Sequence, residues 1–131
     1  MTTQLYLIRH GESVANVEPI IGGMRGDAGL TERGREQARL LQQRLRSEKL
    51  RADQLYASTL PRAWQTADYV ARALRLPVQP AEELHELRPG DADGMTVDQW
   101  RDRYGGVDPP PTRADPFRPF SPGGESWAAF L

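Results

Sequence analysis

The stretch YLIRHGESVAN, Tyr6–Asn16, passes abruptly from apolar residues to charged ones. Its first part belongs to an unbroken apolar run, Leu5–Ile8, which is typical of a strand covered on both faces. That run ends in Arg9 and His10, and Gly11 follows at a point where the missing Cβ lets a ligand approach the backbone. A solvated loop would explain polar residues here, but it would not explain why an arginine, a histidine and a glycine follow the apolar run directly.

Beyond that stretch, a glycine-rich segment at 11–30 predicts a long loop, and helix and strand patterns then alternate. Capping residues and apolar spacing predict a helix from Thr31 to about Ser47, a strand at Leu55–Ala57, a helix from Pro61 and a strand around Val78. Strands that alternate with helices predict the α/β class, with a mostly parallel sheet covered by helices on its faces.

The C-terminal third carries two further helix signals around an irregular segment. Thr96–Gln99 has the form of a capping box and predicts a short helix. Proline and glycine dominate residues 105–124 and predict a surface loop, after which GESWAAFL resembles the opening of another helix.

Length, charge and composition exclude several classes of function. The 131 residues fit one domain, and the net charge of −1 gives no basic field for nucleic acid. Absence of cysteine excludes disulfides, thiolate metal sites and cysteine nucleophiles, and two histidines are too few for a histidine-based metal site. No signal pattern and no membrane-spanning apolar run is present, so a cytoplasmic protein is expected.

Two arginines are predicted to converge on one anion. In parallel sheets the binding crevice lies beyond the carboxyl ends of the strands, where Arg9 and His10 follow the first strand. Arg62 falls in the first turn of the helix after the second strand, where free N–H groups also favour an anion. Guanidinium forks match phosphate oxygens, and Asn16 can add a neutral donor.

An imidazole beside a phosphate site indicates nucleophilic attack on phosphorus by His10, with a covalent phosphoryl intermediate. The leaving alkoxide then needs a proton, and a carboxyl group next to a phosphate dianion can hold one. Glu86, after the third strand, lies at the proper end of the sheet, although Glu82 and Glu83 are close by.

Each of these residues also has an ordinary structural interpretation. Taken alone, Arg62 is a solvated helix arginine and Asn16 a loop residue. His85 is expected to be a packing or surface histidine. The three tryptophans, Trp64, Trp100 and Trp127, are better interpreted as core or interface residues than as a cofactor site.

The combination of motifs resembles the histidine phosphatase superfamily, which includes the cofactor-dependent phosphoglycerate mutases. The matching motifs occur in the family's order and extend over nearly the whole chain: LIRHGES with Asn16, GLTERGREQA at 29–38, ASTLPRAWQTA at 57–67, ELHELRPGDADG at 83–94 and PGGESW at 122–127. The resemblance implies a three-layer α/β/α fold with a mostly parallel central sheet, as a single domain over residues 1–131.

By that resemblance, His10 matches the phosphorylated histidine and Glu86 the proton donor. Arg9 and Arg62 match the arginines that clamp the phosphate. The catalytic set is then Arg9, His10, Arg62 and Glu86, and the phosphate-binding set is Arg9, His10, Gly11, Asn16, Gly22 and Arg62. The resemblance implies a small phosphorylated substrate, with no metal, cofactor or nucleotide.

Two alternatives remain beside a phosphatase. Mutases of the family are longer and carry an inserted segment that shields the intermediate from water, so the phosphatase branch is favoured here. The family's second catalytic histidine, in an HG dipeptide on a later strand, has no counterpart in this chain, since His85 stands in another motif. The chain is therefore expected to lack the C-terminal part of the domain, and a catalytically impaired phosphate-binding remnant is the rival.

In the family the strand with the second histidine lies beside the first strand. Leu5–Ile8 should then present an unpaired edge, which a homo-oligomer or further residues would cover.

Overall fold

The structure, a computed structural model, describes residues 1–104 and 115–131. These residues form five helices and a parallel sheet of two short strands. The helices are α1 (Val14–Val17), α2 (Glu32–Ser47), α3 (Pro61–Leu74), α4 (Val97–Tyr104) and α5 (Trp127–Phe130). The strands are β1 (Tyr56–Ala57) and β2 (Gln79–Pro80), and single 3-10 turns lie at Glu82–Leu84 and Gly90–Ala92. No helix among the described residues is both long enough and apolar enough to cross a bilayer.

The β1–α3–β2 unit follows the prediction from the sequence. β1 and β2 pair in parallel, with Tyr56 opposite Gln79, and α3 makes the crossover that two parallel neighbours require. Pro61 occupies the first turn of α3, and the helix buries Ala67 and Val70. The second and third predicted strands and the helix between them are therefore confirmed.

Helix α2 begins at its predicted cap and packs on α3. The Thr31 hydroxyl accepts the Gly34 N–H at 3.0 Å, which satisfies one of the free donors of the first turn. Ala38 and Leu45 are buried along the helix. The predicted end at Ser47 is also confirmed.

Capping also fixes the later helices. At α4 the Gln99 N–H donates to the Thr96 hydroxyl (3.1 Å) and the Thr96 N–H donates to the Gln99 side chain (2.9 Å), as the capping box predicted. Ser126 caps α5 by accepting the Ala129 N–H. Of the predicted irregular segment, residues 105–114 lie outside the described part of the chain, and 115–124 form no helix or strand.

Two predictions about the first thirty residues need correction. The loop expected at 11–30 contains the short helix α1. The strand expected at Leu5–Ile8 is not formed, and its side chains are exposed instead of covered, with Leu5 76% and Leu7 87% exposed. A strand needs a neighbour for its backbone hydrogen bonds, and within residues 1–104 and 115–131 no strand lies beside this segment.

Candidate active site

A cavity of about 410 Å³ gathers six of the seven residues predicted for the site. They come from five places in the fold: the end of the apolar run, helix α1, the loop after it, the first turn of α3, and the segment after β2. These residues are Arg9, His10, Asn16, Gly22, Arg62 and Glu86. Gly11, the seventh, does not line the cavity.

The imidazole of His10 has one nitrogen committed to the backbone. Its Nδ1 lies 2.7 Å from the carbonyl oxygen of Gly11. A carbonyl can only accept, so Nδ1 must carry the proton in this contact. In the neutral ring, Nε2 then keeps its lone pair, which is the form needed for a nucleophile.

Contacts with helices α2 and α3 hold the segment that carries His10. The Gly11 N–H donates to Thr66 Oγ1 at 3.1 Å, and Thr66 is itself buried in α3. On the other side, a Cβ on Gly34 would lie 2.0 Å from the carbonyl oxygen of Glu12. Only a glycine in the first turn of α2 therefore lets the segment with His10 and Glu12 come this close to the helix. A Cβ on Gly11 would likewise lie 2.6 Å from the Gly34 carbonyl oxygen. Close packing against α2 therefore explains why residue 11 is a glycine.

Arg62 is held by a buried carboxylate that the sequence did not single out. Its Nη1 lies 2.9 Å from Asp27 Oδ2, and the other oxygen of Asp27 accepts the Gly29 N–H at 2.8 Å. The two side chains are 7% and 1% exposed. This burial excludes the alternative of a solvated helix arginine, and the ion pair fixes the guanidinium against the cavity.

Asn16 is oriented with its amide donors available. Its Oδ1 accepts the Ser13 N–H at 3.1 Å, and this contact assigns the oxygen of the amide. The Nδ2 group can only donate, and Asn16 lines the cavity, so this amide suits an anionic ligand. Ser13 also lines the cavity, and its hydroxyl is buried without a hydrogen-bond partner among the described residues.

Asp93 organises the loop that carries Gly22. Its two carboxylate oxygens accept the N–H groups of Gly23, Arg25 and Gly26 at 2.9 to 3.0 Å. Three donors on one carboxylate fix the loop's course, so that its Gly22 end stays beside Arg62.

The structure separates Glu86 from its neighbouring carboxylates. Glu86 lines the cavity, whereas Glu82 and Glu83 do not. The Glu86 side chain accepts the N–H of Leu87 at 3.0 Å, which limits its rotation. His85 lies outside the cavity lining, where its Nε2 is 2.9 Å from the hydroxyl of Thr59.

The C-terminal segment supplies a wall of the cavity that the sequence did not predict. This wall consists of Arg118, Phe120, Glu125 and Trp127. Phe120 is stacked on Trp100 with ring centroids 4.9 Å apart, and its carbonyl accepts the indole N–H at 3.3 Å. Trp127, interpreted from sequence as a core or interface residue, borders the cavity as the first residue of α5.

Residues 88–92 anchor this wall through the backbone. The Glu125 N–H donates to the carbonyl of Arg88 at 2.8 Å, and the Arg88 N–H donates to the Glu125 carboxylate at 2.8 Å. The Asp91 N–H donates to the Pro122 carbonyl at 3.0 Å, and the hydroxyl of Ser121 accepts the Ala92 N–H at 3.0 Å. The segment after Arg118 is therefore tied to the residues that follow Glu86.

Residues 1–104 and 115–131 contain no cluster of metal ligands. No group of three or more His, Asp or Glu side chains there is arranged to hold an ion. The cavity's charged groups instead suit an anion with a protonatable neighbour.

Comparison with known proteins finds a family whose sequences this chain matches. The histidine phosphatase superfamily (branch 1) matches residues 5–131. Human 6-phosphofructo-2-kinase/fructose-2,6-bisphosphatase 4 is 36% identical over 100 residues, which are 76% of this chain and 20% of the human protein. Fructose-2,6-bisphosphatase of Saccharomyces cerevisiae is 38% identical over 103 residues, 76% of this chain and 21% of its own length.

A solved structure extends the likeness to the fold. Mycobacterial glucosyl-3-phosphoglycerate phosphatase in complex with VO3 superposes with a TM-score of 0.74 at 28% identity, covering 89% of this chain and 56% of that one. The likeness confirms the predicted α/β class. The chain thus spans about a fifth of the first curated relatives and just over half of this solved structure.

Proposed function

Because the chain belongs to the histidine phosphatase superfamily, we propose that it hydrolyses small phosphomonoesters through a phosphohistidine at His10. The observation that carries the proposal is one cavity lined by His10, Arg9, Arg62 and Glu86. These side chains are the nucleophile, the two anion-binding forks and the acid that the reaction requires.

In the first step, Nε2 of His10 attacks phosphorus. The Nε2–P bond forms while the bond from phosphorus to the ester oxygen breaks, and the leaving alkoxide takes a proton from the Glu86 carboxyl. The hydrogen bond from Nδ1 to the Gly11 carbonyl supports this step because it keeps the lone pair on Nε2. It also disperses the positive charge that the ring acquires.

In the second step, water attacks the phosphohistidine. The Nε2–P bond breaks, inorganic phosphate forms, and the Glu86 carboxylate takes a proton from the water. Glu86 thereby recovers the proton it gave in the first step, and the enzyme returns to its starting state.

The transferred phosphoryl group carries negative charge on its equatorial oxygens in both steps. Arg9 and Arg62 offer bidentate N–H donors to those oxygens, and Asn16 adds its amide N–H. The buried carboxylate of Asp27 fixes Arg62 before substrate arrives, so little reorganisation is needed at the moment of transfer.

The relatives favour hydrolysis over mutase-type transfer, because their names describe bisphosphatase or phosphatase activity.

A cytoplasmic location and a homo-oligomer remain predictions of the sequence. The phosphate-binding remnant differs from the enzyme in one respect: it would bind phosphate without turning over an ester.

The test is release of inorganic phosphate from a panel of phosphomonoesters by the 131-residue chain, by His10→Ala and by His85→Ala. We expect turnover by the parent chain and by His85→Ala, and none by His10→Ala. Turnover that survives in His10→Ala would contradict the nucleophile assignment. Phosphate binding without turnover in the parent chain would leave the remnant as the correct description.

A further inference from the structure

A second cavity lies at the C-terminal ends of helices α2 and α3. Its volume is about 620 Å³, and it shares no lining residue with the cavity that contains His10. The length of α3 between Arg62, which lines the first cavity, and Arg75, which lines the second, is about 20 Å at the usual rise of a helix. The second cavity is therefore a separate place on the molecule.

The second cavity concentrates positive charge in a chain whose net charge is −1. Within the described part of the chain none of its lining residues is acidic, and five are cations: Arg46, Lys49, Arg51, Arg72 and Arg75. Arg72 has a carboxylate partner, Asp68, at 3.0 Å. The other four cations have no carboxylate within salt-bridge distance in residues 1–104 and 115–131. Uncompensated charge of one sign around a cavity favours a ligand with several negative charges.

The ends of the two helices explain only part of this charge. Arg46 and Arg72 lie in the last turns of α2 and α3, where cations are stabilised by the free carbonyl groups. Arg46 also donates from Nη2 to the carbonyl of Arg72 at 3.4 Å, which joins the two helix ends. Lys49, Arg51 and Arg75 follow the last turns, so the helix ends do not account for them.

Lys49 and Arg75 occupy backbone positions that favour glycine. Both are in the left-handed region, with φ of 53° and 58°. In both, the N–H of the following residue donates back into the last turn of the helix, at 3.1 Å for Leu50 and 3.2 Å for Leu76. Glycine usually makes this helix ending, because a Cβ strains the left-handed conformation. Two strained positions that both place a cation at one cavity indicate a role in binding.

We propose that the second cavity binds a small polyphosphate, a soluble compound with two or more linked phosphate groups. Its volume falls within the range of pockets that hold small molecules. Cations gathered around a cavity suit a compact anion, whereas an extended polyanion needs them along a stripe. Guanidinium groups also match phosphate oxygens in pairs. This site is independent of the proposed function, since it uses none of the residues of the candidate active site.

The experiment is an NMR titration of the 131-residue chain with inorganic tripolyphosphate, and with orthophosphate for comparison. Backbone amides of residues 49–51 and 72–76 report on the second cavity, and those of Gly11 and Gly22 report on the first. We expect saturable shifts at residues 49–51 and 72–76, with tripolyphosphate bound at least about tenfold more tightly than orthophosphate.

Lys49→Gly and Arg75→Gly separate binding from folding. Each removes a cation and also relieves the left-handed backbone, so affinity for tripolyphosphate should fall about fivefold while the melting temperature stays equal or rises. Arg51→Gln, which leaves the helix endings unchanged, should weaken binding to a similar extent. The matched control is Arg35→Gln, an exposed arginine near the start of α2 and outside both cavities, which should change the affinity less than about twofold.

Tripolyphosphate shifts confined to the first cavity, or an affinity that none of the three variants changes, would overturn the inference. A lower melting temperature with unchanged affinity in Lys49→Gly and Arg75→Gly would also overturn it, because the two cations would then serve to end the helices. The proposed function would stand in each case, since phosphate release from esters is measured separately.

Discussion

Arg62 and Asp27 form a buried ion pair across 35 positions of sequence, with Nη1 2.9 Å from Oδ2. Asp27 is almost fully enclosed at 1% exposure, and Arg62 is little more accessible at 7%. The pair ties the loop before α2 to the first turn of α3. It thereby places a cation at the cavity in advance of any ligand.

Replacing Asp27 with Ala should lower the free energy of unfolding by about 3 kcal/mol, because it leaves the Arg62 guanidinium buried without a counter-charge. Urea denaturation measures this change. The matched control is Asp68→Ala, whose partner Arg72 is 61% exposed, and it should cost less than about 1 kcal/mol. Equal costs for the two variants would show that the Asp27 pair contributes no more than a surface contact.

Glu86→Gln should slow turnover according to the leaving group. The amide preserves the shape of the side chain but is too weak an acid to protonate the leaving group, so turnover of alkyl phosphates should fall most and that of nitrophenyl phosphate least. Steady-state rates on both substrates measure the difference, and Glu83→Gln, outside the cavity, should affect neither. An equal loss on both substrates would mean that Glu86 positions the substrate and does not protonate it.

Asp93→Ala should loosen the loop beside the phosphate site. It removes the acceptor of the Gly23, Arg25 and Gly26 amides, which should then exchange their hydrogens at least about tenfold faster, with a loss of about 2 kcal/mol in unfolding free energy. Hydrogen exchange read by NMR measures each amide. Asp91→Ala removes an exposed carboxylate from the 3-10 turn that Asp93 follows; it is the control and should leave their exchange unchanged.

The exposed apolar segment Leu5–Ile8 should make the 131-residue chain self-associate. Unpaired backbone groups beside apolar side chains are a template for strand pairing, and a charge on the segment opposes it. Leu7→Lys should raise the concentration at which association begins in sedimentation velocity. Leu40→Lys, at an exposed position of α2, should not. A parent chain that stays monomeric throughout the accessible concentration range would show that the segment does not act as a pairing edge.

The helices and the β1–α3–β2 unit could be predicted because their determinants are local. Thr31, Pro61 and the Thr96–Gln99 capping box act within one turn of the helices that they start. The segment Leu5–Ile8 could not be treated in the same way. Its apolar composition describes what a buried strand looks like, but strand formation depends on a partner that composition cannot supply.

In the candidate site, too, some residues could be predicted from local patterns, and others depend on contacts between distant segments. The sequence pattern predicted that Arg9, His10, Arg62 and Glu86 converge, and all four line one cavity, although the strand expected before Arg9 is not formed. The role of Asp27 follows from an approach between distant segments, and in sequence it is one acid in a glycine-rich loop. Arg118 and Trp127 reach the cavity because the backbone around Glu125 is anchored on Arg88, a contact with no signature in the sequence.

The most direct test of the account is detection of a phosphoryl group on His10 after brief incubation of the chain with a phosphomonoester and quenching without acid. Peptide mass spectrometry should locate an acid-labile, base-stable phosphate on the peptide that contains His10. The label should be absent from His10→Ala and retained in His85→Ala. Ester turnover with the label on another residue, or turnover unaffected by His10→Ala, would contradict the central claim.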